Sequence, residues 1–443
     1  MSASKAVLPK ITQVRRRGAL AGSVRAPLFV LRLSRFVMSS TSPQSAGSPA
    51  PVQRRALGVG GAWAMAVGGM IGGGIFSTLG VVISVAGHWA WVSFLLGGIV
   101  ALASGHSYSA LTRQIGEPGG SYAYLRALGW RRSATAVAWV LVAGYTLTVA
   151  VYAVTFGSYA ANAFGAPHWV ALACALGAIA LLAGLNLWGA SESTMFELIA
   201  VSGKLVILLG LAFLGLWHWA PEKLMLEAGQ PVGLGHAVVG MGVVFMAYEG
   251  FQLLSYDYDE MRNPARTIRI AMPLAIAMTT VTYIVVALGA GMLAGADQIV
   301  AHEEVALAIA GREALGLAGF IAVSVAATFS AGSAINATVF ATARLAAQAA
   351  EDGEMPALFG QRDGHNVPWA GTVLISAVAG VFVLVGGIEQ LVEGASFVFL
   401  LIFALVNWIA IHRQAGSRVV ASVGLIGALA GAVMLVGYLT GVV

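Results

Sequence analysis

Residues 68–76 read Gly-Gly-Met-Ile-Gly-Gly-Gly-Ile-Phe, inside an apolar stretch running from about Ala56 to Val85. Five glycines in these nine residues work against a continuous helix, since each disfavours it by about 1 kcal/mol relative to alanine. Within lipid, freed backbone groups are tolerated only where they face protein or a watery cavity. The expectation is a helix broken near mid-depth, with the amides of Met70, Ile71, Gly72, Gly73 and Gly74 open to an anionic group such as a carboxylate. The alternative is close helix packing through small residues, although packing motifs space glycines four apart and these cluster. A second stretch, Phe-Met-Ala-Tyr-Glu-Gly-Phe at 245–251, sets a carboxylate and a glycine in the middle of another apolar run. Unwinding there would expose the carbonyls of Phe245, Met246 and Glu249, with Ala247 and Gly250 in the same turn. Amides on one side and carbonyls on the other suit a zwitterion, hence an amino acid.

Two ionisable residues stand inside apolar runs. Glu249 is an intramembrane acid, a functional candidate by default; it would attract a cationic solute, relay a proton or brace the interrupted helix. Lys204, in Val-Ser-Gly-Lys-Leu-Val-Ile-Leu, is the only lysine inside a span. Either it snorkels to the membrane surface, or its ammonium occupies the place of a coupling cation and loads and releases a proton. Thr328, Ser330 and Ser333 offer hydroxyls for the same place. Tyr145, Tyr152 and Tyr159 recur every seven residues, one face of a helix; Tyr145 and Tyr152 are gate candidates, with aromatic packing as the plainer account. Asn336, Ser396 and Asn407 are weaker candidates for interhelical hydrogen bonds. The scattered histidines show no metal-ligand spacing, the single Cys174 excludes an internal disulfide, and no nucleophile–base set suggests an enzyme. No metal or other cofactor is expected.

The elements that must position these residues are membrane helices. Of 443 residues, 58% are hydrophobic and only 10% charged, and the mean hydropathy is +0.84; soluble domains carry about 25% charged residues. Eleven spans can be counted, at roughly 57–84, 89–111, 134–162, 169–189, 194–218, 236–256, 268–293, 315–345, 368–386, 392–412 and 418–440. Eleven basic residues fall in the loops on one side, against Lys223 and Arg312 on the other. The positive-inside rule then places the N-terminus in the cytoplasm of a multi-pass cell-membrane protein. The net charge of +5 therefore reports topology and gives no reason to expect a nucleic-acid partner.

Residues 1–55 carry ten basic residues and no acid, the first acid being Glu117. They read as a basic, disordered cytoplasmic tail, with a targeting presequence, an over-extended reading frame or a surface helix as alternatives. Residues 56–412 read as a ten-helix core and 413–443 as an additional helix. The interrupted first and sixth spans are five apart, which suggests two inverted five-helix halves with a site between them. Acids Glu117, Asp257, Asp259 and Glu260 share a membrane side with Arg126, Arg262, Arg266 and Arg269, and ion pairs among these loops would form a gate.

Four motifs, in order, are similar to those of the amino acid–polyamine–organocation permeases. They are residues 68–76, Glu-Pro-Gly-Gly-Ser-Tyr-Ala-Tyr at 117–124, residues 245–251, and Asp-Glu-Met-Arg-Asn-Pro-Ala-Arg-Thr-Ile at 259–268. The resemblance covers about 56–412 and implies an all-α, LeuT-like fold of five plus five inverted helices. It implies alternating access, with substrate held by the broken parts of the first and sixth helices. It also implies that Lys204 stands where sodium-coupled relatives hold an ion. The chain departs from the pattern at Met246, where exchangers often place an aromatic gate, at Gln252, where arginine–agmatine exchangers carry an acid, and at Glu249, small or apolar in several members. The expected protein is an amino-acid permease in the lipid bilayer, a proton-driven symporter of a small-molecule substrate. A polyamine or cationic amine carrier and an amino-acid exchanger on the same fold are the alternatives. A non-transporting sensor or a channel is the third reading; a channel would need a continuous polar path, and the few intramembrane charges argue against one.

Overall fold

The computed structural model describes residues 57–188, 194–226, 233–364 and 366–442, excepting the side chains of 194–198. The tail expected over residues 1–55 lies outside them. Thirteen α-helices are described: α1 (Val59–Ala86), α2 (Ala90–Ile115), α3 (Gly120–Ala127), α4 (Arg131–Ala163), α5 (His168–Leu187), α6 (Thr194–Trp217), α7 (Gly235–Val244), α8 (Pro264–Ala294), α9 (Ala296–Ala301), α10 (Ala306–Glu351), α11 (Trp369–Val385), α12 (Ile388–Arg413) and α13 (Arg418–Leu439). Among the described residues the only β-type pairing is an isolated bridge between Leu57 and Met261.

Nine apolar segments among the described residues are long enough to cross a membrane. The first of them, Val59–Ile115, is two helices joined by a turn at Gly87–Trp89, where Gly87 takes φ 52°. The 17-residue α11 is also apolar but shorter than the rest. α10 bends where Leu315 and Gly316 leave helical dihedrals, so its spanning part begins near residue 317. The eleven stretches that hydropathy marks all fall on described helices, of which nine segments meet the length and composition of a span.

Burial sorts the helices. The apolar windows of Val59–Ile115 and Gly235–Ser255 are 89% and 94% buried, against 33% for α5 and for α13. A helix that is apolar all round belongs inside, and 20 of the 28 residues of α1 are buried. α1 packs on α8, α10 and the segment after α7, while α2, α4 and α12 close around them. α13 lies on α2, α7 and α12. Each helix settles its own backbone hydrogen bonds, the requirement that lipid imposes.

The first span differs from expectation. Residues 59–86 form one uninterrupted α-helix despite the glycine cluster. The sixth span does change character: α7 stops at Val244 and the chain tightens into a 3-10 helix over Phe245–Ser255. A long mid-span stretch of 3-10 geometry is uncommon and marks a hinge or local strain.

Candidate functional site

The glycines of α1 serve close approach. The backbones of α1 and the 3-10 segment cross at Gly69 and Gly250: a Cβ on Gly69 would stand 3.2 Å from the Gly250 Cα, and one on Gly250 would overlap the Gly69–Met70 peptide. A Cβ on Gly73 would overlap the Tyr152 ring, and one on Gly74 would meet the Tyr283 hydroxyl and Ala247. Gly72 faces Ala334 of α10, where a Cβ would sit 2.9 Å from the alanine methyl. The amides of Met70, Ile71, Gly72, Gly73 and Gly74 therefore stay within a continuous helix rather than opening toward an anion, which corrects the expected break. Helix continuity wins because the surrounding helices fill every side of α1, and a ruptured hydrogen-bond ladder there would leave buried groups unpaired.

The carbonyls of this turn carry the extra hydrogen bonds. The Tyr283 hydroxyl, from α8, lies 2.7 Å from the Met70 oxygen and 2.9 Å from the Ala247 oxygen. One proton thus faces acceptors from both crossing segments. Ser330 of α10 donates to the Ile71 oxygen at 3.3 Å. Ser77 and Thr78 donate back to Gly73 and Gly74 at 2.7 and 2.8 Å. At the other segment, Ser396 of α12 repairs the junction between α7 and the 3-10 turn. Its hydroxyl donates to the Val243 oxygen at 2.5 Å and accepts from the Met246 amide at 3.0 Å. Phe245 packs on Phe403, 5.3 Å between ring centres, and Met246 is fully buried.

Glu249 lies between these elements, 2% exposed. Its polar contacts are long: the Tyr152 hydroxyl and the Gln252 amide each stand 3.5 Å away. Gln252 in turn accepts from the Tyr108 hydroxyl at 2.8 Å. Among the described residues no lysine or arginine pairs with the Glu249 carboxyl. A carboxylate out of water is costly unless a cation or a proton accompanies it.

The structure brings Met70, Ile71, Gly73, Gly74, Ala247, Glu249, Gly250 and Tyr152 into one contact region, with Ser330 and Ala334 of α10 closing it on the side of Ile71 and Gly72. Tyr145 packs beside this region, its ring 5.3 Å from that of Phe399 on α12 and its hydroxyl within reach of the Glu249 charge. Tyr159, on the same face of α4, stands edge-on to Phe76 at 6.0 Å and donates to the Phe76 oxygen at 3.4 Å. Lys204 is buried on α6, which packs against α1, α8 and α10. Thr328 spends its hydroxyl on the Ser324 oxygen of its own helix, at 2.8 Å. Ser396, one of the weaker candidates for interhelical hydrogen bonds, forms part of the polar framework with Tyr283 and Tyr108, which as single polar residues in apolar helices carry no spacing that announces it.

At the end where α2 meets α3, Arg126 pairs with Asp352, with Glu354 at 3.7 Å, and the Tyr122 hydroxyl donates to Asp352 at 3.0 Å. Burial, with the Glu354 carboxylate adding to it, pushes the Tyr122 hydroxyl up to about 12, so it remains a donor at neutral pH. Asp257 pairs with Arg344 at 3.7 Å. The partners of Arg126 and Asp257 thus come from α10 and the turn after it, not from the two loops alone. Leu57 exchanges backbone bonds with Glu260 and Arg262 at 2.8 and 2.9 Å, tying the start of α1 to the entrance of α8.

A bundle of apolar helices closed around a buried polar seam defines a multi-pass membrane protein. The chain belongs to the amino acid permease family, whose sequence profile matches residues 57–442. It is 30% identical, over 80% of its length and 82% of the relative's, to an uncharacterized protein of Methanocaldococcus jannaschii. It is 27% identical to the inner membrane transport protein YbaT of Escherichia coli, covering 86% of this chain and 89% of that one. It is 26% identical to the serine/threonine exchanger SteT of Bacillus subtilis, covering 80% and 82%. The chain is a membrane transporter of small molecules.

Proposed function

We propose that the chain is a secondary active transporter of amino acids, working by alternating access and coupled to protons. One observation carries the reading: the backbone carbonyls of Met70 and Ala247, from the two crossing segments, converge on the single hydroxyl of Tyr283. Acceptors already aimed at one donor are arranged for an ammonium group that takes the hydroxyl's place. Separation of α1 from the 3-10 segment would admit the solute, with Met70, Ile71, Gly72, Gly73 and Gly74 on one side and Phe245, Met246, Ala247, Glu249 and Gly250 on the other. Tyr152 would close over it. Lys204 would link protonation to the inward–outward switch, with Thr328 and Ser330 lining its surroundings. The basic loops favour a cytoplasmic N-terminus in the cell membrane.

A second reading, a carrier of cationic amines, draws on the buried Glu249, with which no lysine or arginine among the described residues pairs. The exchanger alternative takes support from the relative in Bacillus subtilis. Uptake of labelled serine, lysine and putrescine into proteoliposomes, with and without an imposed proton gradient, tests these together. Accumulation of serine that collapses with the gradient fits the primary reading. Uptake that needs counter-substrate inside and ignores the gradient refutes proton coupling.

A further inference from the structure

The last turn of α12 meets the start of α4 at the end of the bundle that carries the basic loops. Trp408 and His412 stand one turn apart on α12, and their rings stack at 5.6 Å with 10° between the planes. Trp130, the residue before α4, lies against both, 5.5 Å from Trp408 and 5.8 Å from His412. Trp408 and His412 are exposed and Trp130 is half-buried, so the three rings form a ledge open to the surroundings. Tryptophan where an apolar span gives way to polar chain belongs to the boundary between acyl chains and headgroups.

Four exposed arginines adjoin the ledge. Arg131 and Arg132 follow Trp130, Arg413 follows His412, and Arg418 opens α13 across the turn 414–417. That turn is fixed: Gln414 takes φ 55° and Gly416 φ 72°, the Ala415 amide donates back to the Ala410 oxygen at 2.9 Å, and the Ser417 amide donates to Nε2 of His106 at 3.0 Å. Arg413 and Arg418 therefore leave the two ends of one held turn. α4 begins at Arg131 with no capping side chain and no acid in its first turn, which leaves the positive end of a 33-residue helix beside the same rings.

Charge is uncompensated here, unlike elsewhere at this end, where Arg126 pairs with Asp352, Arg344 with Asp257 and Arg362 with Glu351. Residues 118–191 and 394–443 contain no aspartate or glutamate, and among the described residues no carboxylate pairs with Arg131, Arg132, Arg413 or Arg418. Topology requires only basic residues in the loops, and neither stacked rings beside them nor an absence of acids around them. An anion with an apolar body matches both halves of the ledge. Guanidiniums and free helix amides take phosphate oxygens, and the rings cover a glycerol backbone and its first methylenes.

We propose that this ledge binds one anionic phospholipid of the surrounding bilayer, its phosphate held by Arg131 and Arg413 and its backbone lying on Trp130, Trp408 and His412. The bound lipid joins α4 to α12, the helices that carry Tyr152 and Ser396. Its binding is independent of which solute the chain carries and of what drives the transport.

The test uses the full chain, stripped of lipid in detergent and then supplied with phosphatidylglycerol, with retained lipid read by native mass spectrometry. One phosphatidylglycerol is expected to be held in preference to phosphatidylcholine. Arg131→Gln together with Arg413→Gln is expected to weaken retention at least about tenfold, each arginine contributing about fivefold. Arg266→Gln together with Arg269→Gln removes the same charge from exposed positions at the start of α8 and is expected to leave retention unchanged. No retained phosphatidylglycerol, equal retention of phosphatidylcholine, or equal loss in the two double variants overturns the proposal. Displacement of the lipid by inorganic phosphate at matching concentration overturns it too, because the rings would then contribute nothing. A second measurement uses the unaltered chain, so the folding of a variant does not enter. Phenylglyoxal modifies exposed arginines, and phosphatidylglycerol is expected to slow its reaction at Arg131 and Arg413 relative to Arg266, while phosphatidylcholine slows none of them. Equal protection of all three, or protection of none, overturns the proposal.

Discussion

Gly250→Ala is the most direct probe of the crossing between α1 and the 3-10 segment. The added methyl would overlap the carbonyl carbon of Gly69 and the amide of Met70. Both are backbone atoms with no rotamer to retreat into, so the two segments must part by about 1 Å to restore ordinary van der Waals separation. Overpacking of this kind in a filled interior costs about 1–3 kcal/mol. Parting also lengthens the Tyr283 bridge, whose two acceptors stand at 2.7 and 2.9 Å and belong to the two segments being separated. Losing one such bond adds about 1 kcal/mol. The expected sum, about 2–4 kcal/mol, lowers the thermal midpoint in detergent and reduces uptake per folded molecule. Gly60→Ala is the control, because nothing lies within 4 Å of a Cβ there. Alanine favours the helix by about 1 kcal/mol, so that variant is expected to match or exceed the parent. Paired thermal-shift and proteoliposome uptake measurements decide the matter. A Gly250→Ala protein as stable and as active as the parent would show that the backbones do not meet as described.

Three further substitutions follow from the same geometry. Ser396→Ala strips the Val243 carbonyl and the Met246 amide of their shared partner, which costs about 1–3 kcal/mol for buried groups left unsatisfied; a thermal midpoint unchanged from the parent counts against the repair role. Glu249→Gln keeps the shape but removes the charge and leaves one acceptor oxygen, so that Tyr152 or Gln252 loses its acceptor unless the Tyr152 hydroxyl accepts instead; lysine and putrescine uptake should fall at least about tenfold while serine uptake holds. Equal retention of all three solutes shows that the acid does not select charge. Lys204→Met preserves volume and burial on α6, and is expected to abolish gradient-driven accumulation while leaving solute exchange measurable; intact accumulation removes Lys204 from the coupling step.

The spans were legible because transfer from water to lipid acts residue by residue and needs no partner to be known. The meeting of residues 68–76 with 245–251 was legible for a related reason. Glycine and a lone acid are costly in a membrane helix unless something approaches closely or requires charge, and here Gly69 and Gly250 touch while Glu249 sits beside Tyr152. The state of α1 was not legible. Glycine propensity disfavours a helix by about 1 kcal/mol per residue, but a rupture inside a dry bundle forfeits hydrogen bonds of comparable or larger value. The packing around α1 decides between them, and packing is a long-range property. Tyr283 lies 213 positions from Met70, whose oxygen it bonds, so no local pattern marks it, and Ser396, a candidate for interhelical bonding, lies 150 positions from the Met246 amide, so its partner could not be named. Arg126 could not be paired in advance for the same reason, since Asp352 lies just past the end of the 46-residue α10.

An unbroken α1 changes where motion must occur. The expected break would have let half of the first helix swing alone. With α1 continuous from Val59 to Ala86, a displacement at either end is carried along its length. In the proposed alternating-access cycle the element to bend would instead be the run from Val244 to Ser255, whose 3-10 geometry has poorer hydrogen bonds and whose junction depends on one serine from α12. Tyr283 joins the stiff member to the compliant one through a hydroxyl with a single proton. A solute ammonium competing for those same carbonyls would loosen that tie upon entry. Opening would then be linked to occupancy by hydrogen-bond exchange, without a glycine hinge in the first helix.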